Sequence, residues 1–163
     1  MKKISKNSIL IITVFSVFIA FSCEKAITNS SADIKLEFRK IQKTKSTKLS
    51  SDIVEFRYDE MNQVLYLTHS NAAFNSCSKV SANFKVIGNE IVISETESKN
   101  NCHALDLFEV HFAIQNLEKG NYSVVINEPY VHLSLEKLRF KIDLNKKTSG
   151  YFLVKRNFYP WGN

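Results

Sequence analysis

Residues 108–115 read FEVHFAIQ, and this stretch decides the predicted fold class. Phe108, Val110, Phe112 and Ile114 alternate along it with residues that are mostly more polar. Successive side chains of an extended strand point to opposite faces, so a period of two places these four side chains on one face. The stretch therefore predicts a half-buried β-strand, with its apolar face directed into a core.

The same period of two continues on both sides of this stretch, and no window shows an apolar stripe of helical period and length. A Gly88-Asn89 pair separates two β-branched runs. Glycine tolerates the positive φ that a two-residue hairpin turn needs, so we expect a tight hairpin there. The further predicted strands are residues 34–41, 53–58, 64–69, 122–127, 138–144 and 151–155.

Short strands joined mostly by short turns predict an all-β fold. Packing one sheet on another buries the apolar faces of many one-faced strands. We therefore predict an antiparallel, immunoglobulin-like β-sandwich of about seven to nine strands, folded as one domain over residues 33–163.

The N-terminus has the layout of a bacterial lipoprotein signal. Three lysines within the first six residues precede an apolar run at residues 9–21. As a helix this run would span only about 20 Å, too little for an ordinary membrane crossing. It ends in AFSC, which resembles a lipobox, although Phe21 stands where a small residue is usual. We expect a signal peptide at residues 1–22 and lipid on Cys23; an ordinary signal peptide with an incidental cysteine is the alternative.

Removal of the leader would halve the net charge of the chain. The whole chain carries +6, and the leader holds three lysines and no acid, which leaves +3 for the mature chain. A charge of this size does not indicate a nucleic-acid partner. Residues 23–32 are then the lipidated N-terminus and tether. We expect an exported protein of the cell envelope, facing the periplasm or exposed at the surface, whose partner is the membrane through lipid on Cys23.

Cys77 and Cys102 remain once Cys23 carries lipid. In an oxidising compartment two such cysteines favour a disulfide bond. Closing a loop of about 26 residues would stabilise the fold by roughly 3 kcal/mol. A reactive thiolate at Cys77 is the alternative, and it would need a nearby base that the sequence does not show.

Gly120 and Tyr122 predict a corner between two strands. Gly120 lets the chain reverse after a long strand, and Tyr122 opens the next strand. The ring can pack inward while its hydroxyl group reaches the backbone, as in the tyrosine corner of immunoglobulin-like sandwiches.

Four short motifs carry a family resemblance. They are NAAFNSC at 71–77, NLEKGNY at 116–122, NEPY at 127–130 and RNFYPWG at 156–162. Over roughly residues 53–163 the chain resembles uncharacterised small lipoproteins of the Bacteroidetes type. The resemblance implies a β-sandwich and an envelope location, and it implies no known activity. Where members of the group carry a doubled cysteine, this chain has Ser76-Cys77, so fewer disulfides are implied here.

Common signatures of enzymes are absent from the sequence. It has no Gly-x-Ser-x-Gly elbow, no phosphate-binding glycine loop and no helical His-x-x-x-His pair. Glu109 and His111 lie two apart on one predicted strand, in phase with His103, and could share a metal or a proton relay. A solvated polar face is the favoured interpretation of this trio.

The other titratable residues are interpreted as ordinary. His69 and His132 are read as isolated structural or surface residues, and the acidic pairs at residues 59–60 and 95/97 as parts of turns. We therefore expect no catalytic residue, no metal site and no cofactor.

The C-terminal segment holds the one constellation suited to ligand binding. Aromatic faces can stack on sugar rings, and a guanidinium group can add hydrogen bonds. A chain end must also be held in place, and the same rings could close one end of a sandwich, which is the favoured interpretation. The possible ligand-binding residues are Arg156, Phe158, Tyr159 and Trp161.

These observations favour a non-enzymatic binding or interaction module of the envelope, for a glycan or a partner protein. The alternative is a structural accessory subunit of an envelope complex, which predicts an exposed apolar edge and no pocket. The third hypothesis is a hydrolase with an unrecognised site, which a deep cleft holding Glu109, His111 and another titratable group would favour.

Overall fold

A computed structural model describes residues 34–43, 51–98, 104–131 and 136–156, with only the backbone of residues 40–43. The described chain forms nine strands, and none of it is a helix that could cross a membrane. The strands are β1 (Lys35–Lys43), β2 (Ser51–Asp59), β3 (Val64–Asn75), β4 (Val80–Ile87), β5 (Glu90–Glu97), β6 (Leu105–Gln115), β7 (Asn121–Asn127), β8 (Leu138–Asp143) and β9 (Ser149–Lys155).

The strands form two sheets, which confirms the predicted all-β sandwich. One sheet has the order β1-β6-β3-β2-β9 and the other the order β4-β5-β7-β8. All neighbouring strands are antiparallel except β5 and β7, which are parallel. Between β5 and β7 the chain crosses to the other sheet as β6 and returns, so β7 enters beside β5 in the same direction.

The core lies between the sheets and follows the period of two. Val110, Phe112 and Ile114 of β6 are at most 1% exposed, as their alternation predicts. Leu65 and Leu67 of β3 point into the same space and are equally buried. Burial of these apolar faces is the main favourable contribution to folding.

Two predicted turns are confirmed. Gly88, with φ of +56°, and Asn89 connect β4 to β5 as a two-residue hairpin. The Tyr122 hydroxyl group donates a hydrogen bond to the carbonyl oxygen of Glu118 at 2.8 Å, which is the expected corner contact. The prediction that Glu95 and Glu97 lie in a turn is wrong, because both belong to β5.

Cys77 is disulfide-bonded. The backbone N–H of its neighbour Ser76 donates to the carbonyl oxygen of Ala104 at 2.9 Å, so this segment lies beside the start of β6. Pairing with Cys102 stays a prediction, since that residue lies outside the described ranges. Also outside them are residues 1–22 and 23–32 with Cys23, the histidines His103 and His132, and the aromatic residues Phe158, Tyr159 and Trp161.

Candidate functional site

The strands β2, β3 and β5 each carry a titratable residue on the inward face, and the residues that directly follow β7 and β9 continue the inward phase of those strands. Each side chain therefore points between the sheets, where the alternation would otherwise place an apolar group. Asp52 and Arg156 come together through the pairing of β2 with β9, and Glu95 and Glu128 through the parallel pairing of β5 with β7. The five residues, which we call the buried charged cluster, are Asp52, His69, Glu95, Glu128 and Arg156.

The cluster is shielded from solvent. Asp52 and His69 are fully buried, Glu95 and Arg156 are 4% exposed, and the side chain of Glu128 is 3% exposed. Charged groups are rarely buried to this degree unless they are paired or bind a metal, because removing them from water is costly. The contacts among these five side chains therefore determine which chemistry the cluster can support.

Arg156 orients two of the carboxylates. Its Nε donates to Oδ2 of Asp52, and its Nη2 donates to Oε2 of Glu128 at 2.9 Å. Its Nη1 donates to the carbonyl oxygen of Glu136, which fixes the guanidinium plane. Because Arg156 binds one oxygen of each carboxylate, the other two, Asp52 Oδ1 and Glu128 Oε1, are left to face His69.

His69 is oriented from its other side by Glu95. The Nδ1 atom lies 2.8 Å from Glu95 Oε1, and an ionised carboxylate only accepts hydrogen bonds, so Nδ1 carries the proton. The Nε2 atom lies 3.6 Å from Asp52 Oδ1 and 3.9 Å from Glu128 Oε1. Both separations exceed hydrogen-bond length. Within the described part of the chain, His69 Nε2, Asp52 Oδ1 and Glu128 Oε1 have no hydrogen-bond partner.

Burial and charge shift the pKa values of the cluster. Burial raises the pKa of Glu128 to about 8, although His69 and Arg156 oppose the rise. Burial alone would lower the pKa of His69, but the surrounding carboxylates, Glu95 first, raise it well above its usual value. The carboxylates therefore favour a proton on the imidazole ring of His69, and burial favours one on Glu128.

A β-bulge in β3 supports the position of Asp52. Asn71 is fully buried, has a φ of +71°, and lies where the register of β3 shifts between Ser70 and Ala72. Its side-chain amide donates to the carbonyl oxygen of Ser51 at 2.6 Å, next to Asp52. Bulges and positive φ at non-glycine residues concentrate near functional sites, where they re-aim side chains.

The outer face of the five-stranded sheet holds a second group of polar residues. The guanidinium carbons of Arg57 and Arg39 lie 4.4 Å and 5.3 Å from the centre of the Tyr66 ring, at cation–π distance. They line a depression of about 520 Å³ together with Thr68 and His111. We call these residues the tyrosine-arginine face.

Glu109 and His111 share this outer face, as their spacing predicts. His111 Nε2 lies 2.9 Å from Glu109 Oε1, and His111 Nδ1 lies 3.1 Å from Thr68 Oγ1. The side chains of His111 and Glu109 are 28% and 24% exposed, which fits the predicted polar face.

Sequence reasoning missed most of the buried cluster. His69 is not an isolated residue, and Arg156, predicted as a possible ligand-binding residue beside the aromatic segment, binds carboxylates inside the fold. Asp52, Glu95 and Glu128 were not recognised as site residues. The sequence feature that could have identified them is their phase, because each stands at a position where the period of two places a core residue.

Comparisons with known proteins give no relative: no protein-family model, no curated protein and no solved structure matches the chain.

Proposed function

We propose that the chain is an exported, lipid-anchored protein of the cell envelope whose sandwich is a non-enzymatic binding module for a glycan that carries acidic groups. The leader and Cys23 support the export and the anchor. The observation that carries the binding role is the tyrosine-arginine face.

On this face two exposed arginines flank one ring. The ring restrains both guanidinium groups, so less side-chain freedom is lost when a ligand binds. A guanidinium group binds carboxylate, sulfate or phosphate groups through two parallel hydrogen bonds. Thr68 lies in the same depression, and its hydroxyl group can bind a hydroxyl group of a sugar.

The second candidate function is an accessory subunit of an envelope complex. β9 is an edge strand of the five-stranded sheet, and on its outer side Tyr151 and Leu153 are 70% and 41% exposed. Exposed apolar residues on an edge strand are typical of contacts with another chain. This edge favours a partner protein over a glycan.

A glycan array of the purified full chain tests the binding role. We expect retention on acidic glycans, and we expect Arg57→Gln and Tyr66→Ala each to weaken it by about tenfold or more, the equivalent of about 1.4 kcal/mol. The matched control is Arg139→Gln, which removes an exposed guanidinium group from the other sheet and should leave retention unchanged.

Two results decide between the candidates. Retention that Arg57→Gln and Tyr66→Ala leave intact would contradict binding at this face. Absence of glycan retention, together with a cross-linked partner that Leu153→Asp abolishes, would favour the accessory subunit.

A further inference from the structure

We propose that the buried charged cluster binds one divalent transition-metal ion of the Zn²⁺ class, with His69 Nε2, Asp52 Oδ1 and Glu128 Oε1 as ligands. This inference is independent of the proposed glycan binding, which uses the opposite face of the five-stranded sheet.

The spacing of the three atoms fits a shared ion. They all lie within 4.8 Å of one another, and Nε2 is 3.6 Å and 3.9 Å from the two oxygens. Two ligands held about 2.1 Å from a tetrahedral Zn²⁺ lie about 3.4 Å apart. Small rotations of the side chains would therefore bring all three atoms onto one ion. The same separations are too long for direct hydrogen bonds.

The surrounding contacts match what a metal site needs. Histidine ligands of metals usually donate their other N–H to a carboxylate or carbonyl oxygen, as His69 Nδ1 does to Glu95. Ligating carboxylates are in turn hydrogen-bonded, and Arg156 holds the second oxygen of both Asp52 and Glu128. The side chains of all three proposed ligands are therefore held in place through their other polar atoms.

Charge balance favours a divalent cation. When His69 and the carboxylates are deprotonated, as metal ligands must be, three carboxylates face one guanidinium group, an excess of two negative charges on side chains at most 3% exposed. Burying uncompensated charge is costly, and a divalent ion removes the excess. Protons on His69 Nε2 and on Glu128 would balance the same charge, so a bound ion has to displace them.

The ligand set indicates the class of ion. Imidazole nitrogen suits Zn²⁺ and its neighbours in the transition series, whereas Ca²⁺ and Mg²⁺ prefer sites made of oxygen alone. Of the cluster residues, Glu128 also lines a cavity of about 200 Å³, together with Val131 and Lys137.

Calorimetric titration of the chelator-treated full chain with Zn²⁺ tests the proposal. We expect one ion per chain. Glu128→Gln keeps the shape of the side chain and should weaken binding of the ion by more than about 100-fold. Glu95→Gln changes the partner of His69 Nδ1 without removing a ligand, so it should weaken binding by about 10–100-fold. The matched control is the double variant Glu109→Gln/His111→Gln, which removes a similar pair from the outer face and should bind as the wild type does.

A second measurement covers the case in which a cluster variant does not fold. In the wild-type chain labelled with ¹⁵N at histidine, Zn²⁺ should shift the His69 Nε2 resonance, retain the Nδ1–H and leave His111 unchanged. Either of two results would overturn the proposal: a His69 resonance that Zn²⁺ does not move, which would mean that the site holds only a proton, or binding that is lost in the control variant and retained in Glu128→Gln.

Discussion

Arg156→Met is expected to lower the free energy of unfolding by about 3–5 kcal/mol in the presence of a chelator. Methionine keeps most of the apolar stem and removes the charge. Asp52 and Glu128 would then remain buried without the guanidinium group that binds one oxygen of each. Urea denaturation followed by circular dichroism measures the loss.

Arg139→Met is the matched control for this experiment. Arg139 pairs with Glu90 at 2.8 Å, but its side chain is 59% exposed and that of Glu90 is 36% exposed. Exposed ion pairs contribute about 0–1 kcal/mol, so the control should unfold almost as the wild type does. A loss in Arg156→Met no larger than that of the control would contradict the description of the cluster as buried and mutually paired.

Phe112→Ala should cost a similar amount, about 3–5 kcal/mol, for a different reason. Phe112 is 1% exposed on β6, between β1 and β3, and its ring packs edge-to-face on Phe38 with centroids 5.9 Å apart. Truncation removes a large apolar surface from the core and leaves a cavity. Since small domains are stable by only about 5–15 kcal/mol, much of the stability would be lost.

The control for this second change is Leu153→Ala. Leu153 is 41% exposed on the edge strand β9, so its truncation should change the free energy of unfolding by about 0.5 kcal/mol or less. If Phe112→Ala and Leu153→Ala lowered the free energy of unfolding equally, the core could not lie between the two sheets.

The strands could be predicted from the sequence because a period of two is a local property. Their ends were harder to predict. The strand predicted at residues 64–69 continues as β3 to Asn75, because the bulge at Asn71 shifts the alternation by one residue and brings Ala72 and Phe74 to the inner face. A bulge interrupts the pattern without ending the strand.

The buried charged cluster could not be predicted in the same way, because its members are spread from Asp52 to Arg156 along the chain. Only the order of the strands brings them together. Glu95 shows this most clearly: it lies near Glu128 because β5 and β7 are parallel, a pairing that an all-antiparallel prediction does not contain. The sequence does show that each residue occupies an inward position, but it does not show which inward positions meet.

Intact-mass spectrometry of the protein purified from membranes tests the envelope function most directly, since export and anchoring at Cys23 underlie it. We expect a chain that begins at Cys23 with the mass of attached lipid, and we expect Cys23→Ala to be unlipidated. An unmodified chain that still begins at Met1 and is recovered as a soluble species would contradict the proposed lipid anchor.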